Sequence, residues 1–421
     1  MSMGRDIQSR IYRAGLFGRR PVVPVEPSGL EAAARRAMSK EAWAYVAGGA
    51  GQHRTVAANT AAFERHRIVP RMLVDVATRS LETTLLGRTI PAPLLLAPIG
   101  VLEMAHADAE YAVARAARSL GIPMVISTQG SVPMEETART LGDSPRLYQL
   151  YWSNDEDVVR SFVERAEAIG SDAVVVTLDT HLLGWRTRDL DLGYLPFARG
   201  EGIAQYLSDP AFRELAATRP ASSEPTPRPT VSAVRALVSM ARHQARWAGG
   251  SFRDNLRSPL PRASVETFLD VFSRSDLTWP DLARLRGMTS LPILVKGVQH
   301  PDDARLAIEH GADGIVVSNH GGRQVDNAVA SLDALPGVAA EVAGRVPVLF
   351  DSGIRSGADV AVALALGADA VLLGRPWVYG LAIAGEAGVR AVLEHVLAEL
   401  DLTLGLAGVR TVEGITPALL T

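Results

Sequence analysis

Gly314-Ile315-Val316-Val317-Ser318-Asn319-His320-Gly321-Gly322-Arg323-Gln324-Val325-Asp326 carries an apolar run straight into a histidine, two glycines and an arginine. The run Gly314–Val317 is short and bounded by polar residues, which reads as a buried parallel strand. The glycines let the backbone turn sharply and approach a ligand closely. Arg323 lies three residues beyond His320, so a proton-transfer group and a fixed cation could face one small anionic molecule. Taken alone, the stretch also fits a strand-to-helix turn with a capping histidine.

Working outward, the same theme recurs: an apolar run, a polar turn, a helical pattern. The runs are Pro93–Pro98, Pro123–Ser127, Leu147–Tyr151, Ala173–Asp179, Pro292–Lys296, Gly314–Ser318, Pro347–Asp351 and Ala370–Gly374. Helical stretches such as His106–Leu120, Asp155–Ile169, Pro301–His310 and Ser356–Leu366 lie between most of them. Eight alternations predict an α/β chain folded as a (β/α)8 TIM barrel, with its chemistry at the C-terminal strand ends. A doubly wound open sheet is the alternative. The count of eight and the placement of the polar residues disfavour it, and Val101–Arg115 holds no Gly-rich dinucleotide fingerprint.

The 421 residues are 47% apolar and 21% charged, the balance of an ordinary globular chain. A net charge of −3 argues against a general nucleic-acid binder. Absence of cysteine excludes disulfides, thiolate nucleophiles and iron–sulfur clusters. Residues 1–20 carry five arginines and no long apolar core, so no secretory signal is expected. No 18 apolar residues run together, so no spanning helix is expected. A cytoplasmic location is the default expectation.

One domain is expected: an N-terminal cap (1–92), the barrel (93–376) with an insertion at 180–291, and a C-terminal helix and tail (377–421). In the cap, Ser39 is a plausible N-cap for a helix through Val46, stopped by Ala47-Gly48-Gly49-Ala50-Gly51. Tyr45, just before that stop, reads first as a packing aromatic. The 112-residue insertion is long enough to be a functional lid or a disordered segment. Within it Pro220–Pro229 looks disordered, and Val231–Trp247 fits a basic amphipathic helix. A lid over the site, a solvated loop and a membrane-surface contact are the three readings. After the barrel, Val378–Leu402 reads as helix and Gly405–Thr421 as a tail.

The strand ends supply the chemistry. After strands seven and eight, Asp351-Ser352-Gly353-Ile354-Arg355 and Gly374-Arg375 fit a phosphate site of backbone N–H groups and cations. Asp351 would repel phosphate and suits sugar or ribityl hydroxyls, so a mononucleotide-like cofactor follows. Lys296 could form a Schiff base or stabilise negative charge on a reduced ring. Asp179 and His320 end strands four and six, and a carboxylate beside an imidazole stabilises the imidazolium formed on proton uptake. No nucleophile elbow accompanies them, and no third ligand completes a metal site.

These residues together resemble the FMN-dependent 2-hydroxy-acid oxidase and dehydrogenase family, from about Tyr12 to the end. The resemblance implies FMN in the barrel mouth. Pro98, Ile99 and Gly100 would lie against its ring, with polar contacts from Ser127, Gln149, Thr177, Lys296 and Ser318. Asp351, Ser352, Gly353, Arg355, Gly374 and Arg375 would take the ribityl chain and phosphate. Lys296 then serves the reduced ring rather than a Schiff base. Arg323 and Tyr45 would bind the substrate carboxylate, which replaces the packing reading of Tyr45. Tyr151 would lie near the 2-hydroxyl, with Arg186 as a second nearby arginine. The implied reaction takes an L-2-hydroxy acid to its 2-keto acid. His320 would remove a proton from C2 or from the hydroxyl, Asp179 would hold the charged histidine, and oxygen would be the acceptor. A homo-oligomer, tetramer or octamer, is also implied.

Within that family, Gly100 and the stretches Gly184–Asp191 and Tyr194–Phe197 look closest to lactate 2-monooxygenase, where retained keto acid is oxidatively decarboxylated. Gln129 replaces a pocket tryptophan of glycolate oxidase, which predicts a polar or larger substrate. The rivals are a dehydrogenase serving a quinone or protein, a non-redox FMN or phosphate-binding isomerase or lyase, and a non-catalytic binding protein. The His320–Arg323 pair and Asp179 speak against the last two.

Overall fold

Strand six begins at Gly314 and ends at Val317, and each of the other seven apolar runs overlaps a strand. A computed structural model describes residues 3–219 and 230–421; the expected disorder at Pro220–Pro229 lies outside the described residues. The barrel strands are Leu94–Leu96, Met124–Ile126, Arg146–Leu150, Val174–Thr177, Ile293–Val298, Gly314–Val317, Val348–Asp351 and Ala370–Leu373. They pair in parallel in chain order, and the eighth closes on the first. The open-sheet alternative is thereby excluded.

Side chains alternate across each strand. Leu95, Val125, Leu147, Val175, Leu294, Val316, Leu349 and Leu372, one per strand, form the barrel's inner cluster. Their neighbours, such as Leu94, Val174 and Ile315, join the larger cluster under the helices. A hairpin of Thr83–Leu85 and Arg88–Ile90 adds Leu85 and Ile90 to the inner cluster. The extended part of the cap is therefore a plug for the barrel.

Three placements differ from expectation. Asp179 lies two residues past its strand, His320 three past its own in a short turn, and Lys296 lies inside one, because strand five runs on to Val298 with a register shift at Gly297. Gly297 has φ +108, and a Cβ there would stand 2.8 Å from Asp179 Cβ. Only glycine both takes that backbone shape and leaves Asp179 its place.

In the cap, Ser39 Oγ accepts from Ala42 N at 3.1 Å and starts the helix Lys40–Ala47. Asp326, the last residue of the deciding stretch, accepts from Gln52 N and Arg54 N, each at 2.7 Å. The cap is thus docked onto the loop that carries His320. In the insertion, Arg165 meets Asp209 at 3.0 Å and His243 meets Glu103 at 2.8 Å, pinning it to barrel elements. The helix Val231–Trp247 forms as expected, but Val231, Val234 and Leu237 are exposed, while Ala241 and Gln244 are the residues it buries.

The last helix is longer than expected, Arg375–Ala407. Pro376 is accommodated in its first turn, where no amide partner is required. At Ala384 and Gly385 the helical angles break, Gly385 having φ +57. Among the described residues, no helix is long and apolar enough to cross a membrane, and no His/Cys/Asp/Glu cluster could hold a metal ion.

Candidate active site

A cavity of about 860 Å³, its mouth included, opens at the C-terminal end of the barrel. Sixteen of the twenty expected site residues line it: Tyr45, Pro98, Ile99, Gly100, Ser127, Tyr151, Arg186, Lys296, His320, Arg323, Asp351, Ser352, Gly353, Arg355, Gly374 and Arg375. Asp179, Gln149, Thr177 and Ser318 stand behind that wall. Gln149 accepts from Ser127 Oγ at 2.9 Å and donates to Thr177 Oγ1 at 3.1 Å. Ser318 Oγ accepts from Lys296 Nζ at 2.9 Å and donates to Asp351 Oδ2 at 2.6 Å. These four brace side chains that face the cavity.

His320 divides its two ring nitrogens between protein and cavity. Nδ1 sits 2.7 Å from Asp179 Oδ1 and 3.2 Å from Thr180 Oγ1. Nε2 is left beside the Tyr151 hydroxyl, 3.5 Å away. Burial lowers the His320 pKa below its ordinary value, with Lys296 and Arg186 acting the same way against the pull of Asp179. Burial pushes Asp179 upward, but His320 and Lys296 outweigh it and hold the carboxyl at about 2. The pair is therefore a carboxylate and an imidazole poised to accept a proton on Nε2.

Lys296 is buried with Nζ 3.2 Å from Asp351 and 3.9 Å from Asp179. Burial would lower its pKa, yet Asp351 and Asp179 raise it above the ordinary lysine value. It stays an ammonium, which is unsuited to Schiff-base formation.

Four guanidinium groups share the cavity, and none pairs with a carboxylate among the described residues. Arg323 lies over the Tyr45 ring, 4.8 Å from its centroid, and donates to the carbonyls of Tyr45 and Gly48. Arg186 donates to Gln324 Oε1 at 3.2 Å, while its buried Nε has no partner. Arg375 donates to the carbonyls of Val46, Gly321 and Gly48 at 3.0, 2.9 and 2.9 Å. Arg355 donates to Ile354 O at 2.9 Å. Burial lowers the pKa of Arg186 and of Arg375 to about 10, the cost of a cation without a counter-ion. Arg186 feels the charge of Arg323, and Arg375 that of Arg355 and Arg323, so the cavity concentrates four cations for anionic groups.

The chain matches the model of a family described as FMN-dependent dehydrogenase over residues 34–421. It is 40% identical to an FMN-dependent alpha-hydroxy acid dehydrogenase of Penicillium citrinum over 96% of this chain and 92% of the relative. It is 37% identical to an L-lactate oxidase of Lysinibacillus sphaericus, covering 93% and 91% of the two chains. A crystal structure of mandelate oxidase with (S)-4-hydroxymandelic acid superposes with a TM-score of 0.76 at 36% identity, covering 94% and 98%. The chain belongs to the FMN-dependent dehydrogenase family.

The residues of this FMN-dependent dehydrogenase fit the cofactor. FMN needs a dianion site at one end and a polar, cation-flanked wall for its ring at the other. Arg355 and Arg375 supply cations without a carboxylate partner among the described residues, and Lys296, Ser127 and the Pro98–Gly100 backbone line the same cavity.

Sequence reasoning missed several supporting groups. Thr180 shares Nδ1 of His320 with Asp179. Gln324 donates to the carbonyls of Asp179 and Leu182 at 2.7 and 2.8 Å while accepting from Arg186, so it ties the strand-four loop to the strand-six loop. Its place one residue after Arg323 was the available signal. Asn59 reaches Asn319 from a distant cap helix, for which the sequence offers no signal.

Proposed function

We propose that this enzyme oxidises an L-2-hydroxy acid to the 2-keto acid, with oxygen as acceptor. One observation carries the reading: His320, backed by Asp179 at Nδ1, lines one cavity with Arg323 and Arg186, whose charge it feels. The two arginines bind the carboxylate, and a planar fork on a carboxylate fixes orientation as well as charge. Tyr45 and Tyr151 flank that position, the Tyr151 hydroxyl staying protonated and able to donate, since burial pushes its pKa up to about 12 with Asp179 adding to the effect. His320 Nε2 takes the proton released as C2 is oxidised, and Asp179 stabilises the imidazolium. Bound FMN supplies the two-electron acceptor. Pro98–Gly100, Ser127 and Lys296 would hold its ring, and Asp351, Gly353, Gly374, Arg355 and Arg375 its ribityl chain and phosphate. Gln149, Thr177 and Ser318 act by bracing that set.

Gln129 supports a substrate with a polar side chain. It lines the cavity and is buried, and among the described residues its amide has no hydrogen-bond partner. An amide that faces the cavity without a protein partner is free to bond a polar group of the ligand. Oxygen as acceptor is supported by the relatives named as oxidases. Assembly as a homo-oligomer, one 1–421 domain and a cytoplasmic site complete the reading; light scattering on the eluted protein checks the first.

The test is anaerobic mixing with a panel of L-2-hydroxy acids while flavin absorbance is followed, then oxygen and product analysis. Bleaching by a hydroxy acid supports the reading, and no bleaching by any of them overturns it. Keto acid with peroxide indicates an oxidase, and an acid one carbon shorter indicates retained-product decarboxylation. Slow reoxidation by oxygen indicates a quinone or protein acceptor. His320→Ala should bind FMN and remain oxidised.

A further inference from the structure

Two residues with side chains adopt positive φ on the cavity wall: His320 at +57° and Ser352 at +94°. The first is near the left-handed helical minimum. The second lies beyond it, where a residue bearing a Cβ persists only if its surroundings hold it. Here they do. Ser352 Oγ accepts from Gly321 N at 2.9 Å, and Asp351 Oδ2 is 3.5 Å away to take the hydroxyl proton.

Gly321 directly follows His320, and its carbonyl accepts from Arg375 Nη1 at 2.9 Å. On the other side, His320 N donates to Ser318 Oγ at 3.0 Å, which in turn bonds Asp351. The backbone on both sides of the histidine is therefore suspended from the loops after strands seven and eight. Those are the loops assigned above to the ribityl chain and phosphate. Glycine would occupy φ +94° without strain, as Gly353 does next door at +106°. What serine offers in exchange is the hydroxyl, and that hydroxyl is spent on Gly321.

We propose that Ser352 is a positioning residue: its Oγ, through the Gly321 amide, sets the His320 imidazole against the substrate and couples the base to the phosphate-holding loop. The proposal rests on the reading of His320 as the base. It removes Ser352 Oγ from the set of direct FMN ligands.

Ser352→Gly and Ser352→Ala, made in the full chain and reconstituted with FMN, separate the possibilities. Four quantities are read: the thermal midpoint, the FMN dissociation constant by fluorescence quenching, the anaerobic reduction rate at saturating hydroxy acid, and KM. For Ser352→Gly the midpoint should equal or exceed that of the parent, because strain is relieved. FMN affinity should stay within about threefold and KM within about twofold, while the reduction rate falls roughly tenfold or more, as expected for a displaced base. Ser352→Ala should show the same loss of rate with a lower midpoint. Reduction by Ser352→Gly as fast as the parent overturns the proposal. So does a rate loss matched by an equal loss of FMN affinity, which would make Ser352 a cofactor ligand. Unimpaired reduction in His320→Ala would overturn the base assignment itself, and it is told apart because Ser352 is intact there.

Discussion

Gly100 and Gln129 compete for one space. A Cβ on Gly100 would lie 2.7 Å from Gln129 O and 2.8 Å from Gln129 Cβ, and the same carbonyl accepts from Val101 N at 2.9 Å. The glycine therefore has a packing cause in the Gln129 backbone, whatever its effect on the fate of the product. Gly100→Ala should destabilise the protein by roughly 1–3 kcal/mol, the range for overpacking against backbone that cannot withdraw. Gly100→Ala with Gln129→Ala should recover little, since the carbonyl and the Cβ both remain. Denaturant midpoints check this; an unchanged midpoint in the single variant would refute it.

The His320–Asp179 pair fixes the sign of the pH dependence. Burial holds the His320 pKa below its ordinary value, so the imidazole stays unprotonated, and able to accept, at pH values where an exposed histidine is charged. Activity should be flat through neutral pH and fall as pH drops through a value below the ordinary histidine pKa of about 6.5. Asp179 pulls the other way by favouring the imidazolium. Asp179→Asn should therefore move the acid limb of kcat/KM lower still, and cut the rate by roughly a hundredfold as the charged histidine loses its support. An acid limb at or above the ordinary value in the parent, or one displaced upward in the variant, would contradict the assignment.

The barrel and most of the cavity wall were legible because strand-end chemistry is local in sequence. Lys296, His320, Asp351 and Arg375 each follow or close an apolar run, so period and position sufficed. What escaped depends on distance. The plug formed by Leu85 and Ile90 has no signature beyond two short extended pieces. The brace roles of Gln149, Thr177 and Ser318 depend on which way each side chain leaves its strand and what stands in front of it. The exposure of Val231, Val234 and Leu237 shows that periodicity finds a helix without finding its neighbour.

Arg375 carries two duties that one substitution can separate. Its three nitrogens hold three backbone carbonyls, and its charge has no carboxylate among the described residues. Arg375→Met removes both, Arg375→Lys only the fork. Losing a charge-assisted contact of about 3 kcal/mol corresponds to roughly a hundredfold weaker FMN binding in the methionine variant. The lysine variant should bind FMN between the two, with a lower thermal midpoint because carbonyls are left unpaired. Flavin fluorescence titration of the apoprotein measures the first and a melt the second. FMN affinity unchanged in Arg375→Met would place the phosphate elsewhere.

Beside the Asp326 contacts, a reciprocal pair is expected to couple the cap to the His320 loop. Asn59 Nδ2 donates to Asn319 Oδ1 at 2.8 Å, and Asn319 Nδ2 donates back to Asn59 Oδ1 at 2.7 Å, both residues being buried. Asn59 Oδ1 also accepts from Ser331 N at 3.1 Å, and Asn319 Oδ1 accepts from Gly322 N at 3.1 Å, two residues from the histidine. Asn59→Ala leaves Ser331 N without its acceptor and takes one bond from each end of the Asn319 amide, which keeps Val329 O and Gly322 N, and this should cost roughly 1–3 kcal/mol. Asn319→Ala should cost a similar amount and also loosen the Gly322 turn. Because each single change removes the same two bonds, the double variant should cost less than the sum, by about 0.5–3 kcal/mol. Urea unfolding of the four proteins closes that cycle. Additive costs would mean that the two side chains are held independently, and that the cap and the His320 loop are joined elsewhere, at Asp326.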